Sequence, residues 1–145
     1  MDLSGLKWPI IIVVVVAIGW LFTSGGVSWM ITNFTKSVPG EDAARDARDE
    51  AGLTRIGGYL LIMWRYEKAA DVLNMAVERY PNGKNYWYNA YRNAKCEEKM
   101  EHYQKAYNIL QLCMQSSAGD YDERIPSNDN LALRAAKLKE LYDLQ

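Results

Sequence analysis

The feature that most constrains this chain is an apolar stretch near its N-terminus, residues 9–31, which contains no charged residue. A helix of this length extends about 34 Å, enough to cross the hydrocarbon core of a bilayer. Trp8 and Trp29 lie near its two ends, where indole rings prefer the membrane interface. The sequence therefore predicts one uncleaved transmembrane helix over residues 9–31, after a short tail at residues 1–8. A cleaved signal peptide is the alternative, but the apolar pattern resumes after Gly26 and no clear cleavage site is present.

Small residues recur within this stretch. Gly19, Thr23 and Gly26 follow one another at steps of four and three residues, which places them on one face of a continuous helix. Such a face allows a second membrane helix to approach closely. Trp20 falls in the middle of the stretch, away from either interface, where packing against protein explains a tryptophan better than lipid anchoring. These four residues are the predicted contact with another membrane protein; the alternative is that small residues are simply common in membrane helices.

Membrane orientation is weakly encoded. Lys7 precedes the apolar stretch, and Lys36, Arg45 and Arg48 come after it, so the positive charges favour a cytosolic C-terminal part. A short tail, one lysine and an apolar run also resemble a bacterial signal anchor, which exports the C-terminal part of its chain. Our expectation is an inner-membrane protein with the C-terminal part in the periplasm, and the cytosolic orientation stays open.

A charged connector is expected over residues 32–49. Pro39 and Gly40 indicate a turn. Beyond them, Glu41 with Arg45 and Arg45 with Asp49 have the four-residue spacing of ion pairs on a helix surface. The connector is therefore predicted to be a solvated helix rather than a site.

The remaining sequence has the periodicity of packed helices, which predicts an all-α fold. Apolar residues recur at three- and four-residue steps over residues 50–115, and "YPNGK" at residues 80–84 separates two helices. Residues 116–126 are predicted to form a loop. Residues 127–145 carry an apolar stripe with charged residues on the other faces, as a terminal capping helix requires. The stripe consists of Leu131, Ala135, Leu138, Leu141 and Tyr142.

The spacing of residues 50–115 resembles the tetratricopeptide repeat family, since Leu53 and Trp87 stand 34 residues apart at the family's large-residue position. The first unit matches well in its small and large positions, at Gly57, Leu60, Ala69, Leu73, Ala76 and Pro81. The second unit departs from the pattern: Tyr91 replaces a small residue, and the turn near "CEEKMEH" carries about three extra residues. The resemblance implies a short α-solenoid of about two helix pairs.

In that family the first helix of each pair lines a concave groove that binds peptide segments. The resemblance therefore implies a protein-binding groove lined by Thr54, Gly58, Leu61, Ile62, Asn85, Tyr88, Arg92 and Lys95. Its hydrogen-bond donors, aromatic ring and two positive charges suit an acidic or carboxylate-bearing segment. The family's chaperone-binding members use a lysine and an asparagine in the first unit, where this chain has Thr54 and Gly58.

Catalysis is not expected. His102 is the single histidine, and Glu98 four residues earlier is one ligand where zinc requires three or four. Cys96 and Cys113 are expected to be buried and unpaired, and no nucleotide-binding glycine loop is present. The net charge of −1 and scattered basic residues do not favour nucleic acid. We expect no metal, no cofactor and no small-molecule substrate.

The expected partners are the lipid bilayer and other membrane protein subunits, contacted through both the apolar segment and the helical domain. The first functional hypothesis is an accessory or assembly subunit of a multi-subunit membrane complex. The second is a free-standing anchored adaptor, or chaperone co-factor, that captures peptide segments transiently.

Overall fold

A computed structural model describes residues 4–145, with side chains from Lys7 onward. Within this range the chain is entirely helical and has no strands, which confirms the all-α prediction. It divides into two compact units, one ending at Lys36 and one covering Ser37–Gln145. The tail predicted for residues 1–8 lies partly outside the described range, and its described part already belongs to the first helix. The helices are α1 Ser4–Leu21, α2 Ser24–Asn33, α3 Ala43–Ile62, α4 Tyr66–Arg79, α5 Tyr86–Lys99, α6 Tyr103–Gln115, α7 Ala118–Tyr121 and α8 Asn128–Tyr142.

The apolar stretch is broken, so the prediction of one continuous helix over residues 9–31 is wrong. Its two helices meet at an angle of 80°. Among the described residues, only this bent pair, counted together from Lys7, has the length and composition of a membrane span. The break follows from Thr23, which N-caps α2 by accepting a hydrogen bond from the Gly26 N–H at 3.2 Å. Threonine and glycine are poor residues for a helix interior and favourable at a helix start.

The break also removes the predicted face of small residues. Thr23 is the cap between the helices, while Gly19 belongs to α1 and Gly26 to α2. Gly26 packs against the backbone of Trp20 and Leu21, so closely that an added Cβ would overlap them. Gly19 has open space beside it. The three residues therefore do not share a face of one helix.

In the second unit, each long helix packs against the next in chain order, and the first helix α3 also contacts α5. The connections are short because α3 and α5 are both followed by a left-handed residue, Trp64 at φ 55° and Glu101 at φ 65°. The next N–H then reaches back to the helix, from Arg65 to the Leu60 carbonyl and from His102 to the Glu97 carbonyl, each at 2.9 Å. This is the Schellman arrangement, which reverses the chain within a few residues.

The core between α3 and α4 depends on a close approach at Gly57. Leu53, Leu60 and Leu73 are fully buried there. A Cβ on Gly57 would lie 2.5 Å from the Cδ2 atom of Leu73, so any larger residue would force this buried leucine to move. The sequence pattern of one small residue facing large ones is thus realised in the packing of the helix pair.

The charged connector differs from its prediction. Helix α3 begins at Ala43, where Asp42 caps it by accepting hydrogen bonds from the Ala44 and Arg45 N–H groups. The helix then continues without interruption into the domain. Asp49 is buried, not solvated, and its carboxylate accepts a hydrogen bond from the Ser37 hydroxyl. The expected Arg45–Asp49 surface pair therefore does not describe this segment.

The C-terminal segment contains two helices, α7 and α8. A single short turn of helix, α7, lies within the expected loop at residues 116–126. Leu131, Ala135 and Leu138 of α8 are buried against the domain core. Leu141 is 62% exposed, so the predicted apolar stripe ends one turn early. Tyr142 instead stacks on Tyr103 of α6, with ring centroids 3.5 Å apart.

Candidate protein-binding site on α3 and α5

Hydrogen bonds between residues 35 positions apart hold α3 and α5 side by side. The buried Glu50 carboxylate accepts from the Asn85 backbone N–H at 2.7 Å and from its side-chain amide at 3.3 Å. One turn further on, the Asn89 amide donates to the Thr54 hydroxyl at 2.9 Å. These polar side chains pair with one another inside the domain. They therefore fix the position of the half-exposed side chain next to them, that of Arg92.

Arg92 is the central half-exposed group. Its guanidinium donates to the Thr54 carbonyl oxygen at 2.9 Å and lies 4.9 Å from the Tyr88 ring centroid. Gly58 provides its space, since a Cβ at that position would overlap the guanidinium. The side chain is thus held in one place by a hydrogen bond, an aromatic ring and a glycine.

Arg124 approaches the same tyrosine from the loop before α8. Its guanidinium carbon lies 4.0 Å from the Tyr88 ring centroid, and one of its N–H groups donates to the Asn85 side-chain oxygen at 2.8 Å. Asp122 holds it through two hydrogen bonds of 2.8 and 2.5 Å. We call Tyr88, Arg92 and Arg124 the arginine–tyrosine cluster.

The two arginines of this cluster differ in electrostatics. Hydrogen bonding to Asp122 raises the pKa of Arg124 above its ordinary value. Burial lowers the pKa of Arg92, and the nearby charge of Arg124 lowers it further. Among the described side chains, no carboxylate forms an ion pair with Arg92. Arginine stays charged even so, and a partly desolvated charge without a counter-ion is unfavourable. Arg92 is therefore suited to receive a carboxylate from another molecule.

The structure brings together part of the predicted groove. Gly58, Asn85, Tyr88 and Arg92 all lie at the cluster or in direct contact with it. Thr54 is buried, so it positions Arg92 through its carbonyl instead of facing the groove.

The other three predicted groove residues lie elsewhere on the two helices. Lys95 lies one turn beyond Arg92 on α5 and contacts the Tyr91 ring at 4.9 Å. Leu61 and Ile62 lie at the end of α3, where Leu61 is half-buried and Ile62 is 77% exposed.

Sequence reasoning missed three residues of the site: Glu50, Asp122 and Arg124. Glu50 belongs to a run of charges that helical periodicity places at the surface, and nothing in that pattern shows that its carboxylate turns inward. Asp122 and Arg124 come from the segment predicted to be a loop. Their two-residue spacing is a weak local signal for an ion pair, but the sequence does not indicate that Arg124 contacts Tyr88 of α5.

His102 belongs to a separate, structural arrangement. The expected neighbour Glu98 pairs instead with Arg134 at 2.6 Å. His102 contacts Glu97, which is 1% exposed and also accepts from Lys105 at 2.6 Å. Glu97 therefore joins the end of α5 to the start of α6. Within the described residues, no group of three or more potential ligands is placed to hold a metal ion.

Both cysteines are buried and unpaired, which confirms their prediction as small core residues. Burial raises the pKa of each thiol to about 11. Since the thiolate is the reactive form, neither cysteine has the character of a nucleophile near neutral pH.

The Asp122–Arg124 pair gives a pH prediction. Hydrogen bonding to Arg124 holds the pKa of Asp122 below its ordinary value of 3.8. The stabilisation is therefore fully present above pH 3.8 and is lost as the pH falls through the depressed pKa. We expect an NMR titration of the Asp122 side-chain carboxyl carbon to show a midpoint below 3.8. In Arg124→Gln the midpoint should rise towards the ordinary value, and equal midpoints in the two proteins would contradict the pairing.

Comparison of the chain with protein-family models, with curated proteins and with solved structures found no match. The resemblance to tetratricopeptide repeats therefore stays a prediction that depends on the spacing of residues 50–115.

Proposed function

We propose that this chain is a non-catalytic, protein-binding accessory or assembly subunit of a multi-subunit membrane complex. Its N-terminal apolar segment holds it at the membrane, and the face formed by α3 and α5 docks onto a partner subunit. The proposed location is a bacterial inner membrane, with the helical domain in the periplasm.

The observation that carries this proposal is Arg92, a half-buried cation held in place without a counter-ion. A partly desolvated charge without a counter-ion is costly for a fold, and binding of a carboxylate offsets that cost. Tyr88 beside it adds an aromatic surface, and arginine and tyrosine are the residues most often found at the centre of protein interfaces. The site is therefore proposed to take an Asp or Glu side chain, or a C-terminal carboxylate, of the partner.

The pairing of α3 with α5 supports a repeat arrangement. Hydrogen bonds join residues 35 positions apart, as expected when the first helices of two successive units lie side by side. Small solenoids are usually stabilised by further repeats, and this domain has about two helix pairs. A permanent partner would supply the missing contact area, which favours the subunit over the free adaptor.

Extraction in a mild detergent, followed by size measurement and mass spectrometry, tests the proposal. A subunit is expected to remain in a high-mass complex with other membrane proteins after washing at high salt. Recovery as a lone monomer that binds peptides weakly would contradict it and would indicate the adaptor instead.

A further inference from the structure

We infer that the N-terminal unit has a lipid-facing arrangement in which α1 alone is inserted in the bilayer and α2 lies along the membrane surface. The inference depends on the proposed membrane attachment and specifies its geometry. It begins from the break at Phe22 and Thr23, which turns the chain by 80°.

The lengths of the two helices suit these two roles. The charge-free part of α1, residues 8–21, extends about 21 Å, which is shorter than the roughly 30 Å of a hydrocarbon core. Helix α1 therefore inserts into the bilayer, and local thinning of the bilayer accommodates its short length. Helix α2 has 10 residues, about 15 Å, which is too short to cross it. With α1 along the membrane normal, an 80° bend places α2 within about 10° of the membrane plane.

The backbone at the break is internally hydrogen-bonded, as an apolar environment requires. The Phe22 N–H donates to the Gly19 carbonyl at 3.1 Å, and the Thr23 N–H to the Trp20 carbonyl at 2.9 Å. The Thr23 hydroxyl donates to that same carbonyl at 2.6 Å while it accepts from Gly26. The bend therefore exposes few unsatisfied groups and is compatible with the edge of a bilayer.

Composition distinguishes the two helices. Residues 9–21 of α1 carry no polar side chain except the indole of Trp20, and most are about half exposed or more. Helix α2 carries hydroxyls at Ser24, Ser28 and Thr32, which the four-residue spacing places on one face. A helix in the interface needs such a polar edge towards the headgroups.

The break also accounts for Trp20, which had no explanation in the middle of a straight span. It stands one residue before the end of α1, and its ring lies 5.9 Å from that of Trp29 in α2. Both indoles then lie at the membrane interface, the position that tryptophan prefers.

The test measures depth by fluorescence quenching. The full chain is placed in vesicles of phosphatidylcholine and phosphatidylglycerol brominated at defined acyl positions. Variants keep only Trp20 or only Trp29, with the other tryptophans changed to phenylalanine. For the bent unit we expect the depths of Trp20 and Trp29 to differ by no more than the 5.9 Å between their rings. A straight helix would separate the two residues by about 13 Å along its axis.

Gly26→Ala and Gly25→Ala form a matched pair for the bend. An alanine Cβ at position 26 would overlap the Trp20 carbonyl, whereas at position 25 the nearest atom is 3.7 Å away. We expect Gly26→Ala alone to separate the depths of the two tryptophans.

The outcomes of these measurements are distinguishable. If the chain binds vesicles but the depths of Trp20 and Trp29 differ by about 13 Å in the parent protein, the inference is overturned while membrane attachment stands. The same conclusion follows if Gly26→Ala does not change the difference in depth. Failure of the full chain to float with vesicles would overturn both the inference and the proposed membrane attachment.

Discussion

Truncation of Leu73 to alanine is expected to lower the free energy of unfolding by about 2–5 kcal/mol, the range for a fully buried leucine. Leu73 is completely excluded from solvent between α3 and α4 and packs directly on Gly57. Chemical denaturation of the second unit measures this loss. Leu112→Ala is the matched control, because Leu112 is 56% exposed and its truncation should change stability by less than about 0.5 kcal/mol.

Because Gly57 contacts Leu73, the effect of Gly57→Ala on stability should depend on whether Leu73 is present. Gly57→Ala alone should destabilise, because the overlap of its Cβ with Leu73 costs more than the roughly 1 kcal/mol that the helix preference of alanine restores. In the Leu73→Ala background the overlap disappears, and Gly57→Ala should become neutral or stabilising. Additive effects of the two changes would contradict the close helix approach.

Replacement of Arg92 by methionine is expected to have the second large effect. It should weaken partner binding and leave folding almost unchanged. Loss of one member of a buried charge pair costs about 2–5 kcal/mol at an interface, so recovery of the partner should fall at least about 30-fold. The free domain should lose little stability, because the change removes one hydrogen bond and also relieves a desolvated charge. Quantitative co-purification and thermal unfolding measure the two quantities.

Two further variants make this result specific. Arg92→Lys retains the charge but not the planar pair of donors, so it should give intermediate recovery. Arg134→Met removes an arginine that is already paired with Glu98, and it should leave recovery unchanged. Wild-type recovery of the partner by a folded Arg92→Met protein would remove the basis for the proposed docking site.

The helical domain was predictable because its signal is periodic. Residues such as Leu53, Gly57 and Leu73 are spaced so that one face of each helix is buried, and the structure buries that face. The break at Thr23 was missed because a hydropathy pattern averages over a whole stretch. A local N-cap can interrupt a helix without changing that average.

The candidate site was predictable only in part. Tyr88 and Arg92 were predicted from the resemblance to tetratricopeptide repeats, which implies that their helix lines a groove. Arg124 was not, because it reaches Tyr88 from a loop, and loop paths are set by contacts distant in sequence. Glu50 was missed because a buried charge is recognised by its partners, here Asn85, and not by its own sequence neighbours.

Photo-crosslinking in native membranes tests the central claim most directly. A photoreactive amino acid at position 88 lies in the arginine–tyrosine cluster, and the same group at position 133 serves as the control, since Leu133 is 70% exposed on α8. We expect position 88 to form one dominant adduct with a second membrane protein, and this adduct should be lost in Arg92→Met. The account is contradicted if position 88 gives no more adduct than position 133, or if its adduct persists without Arg92.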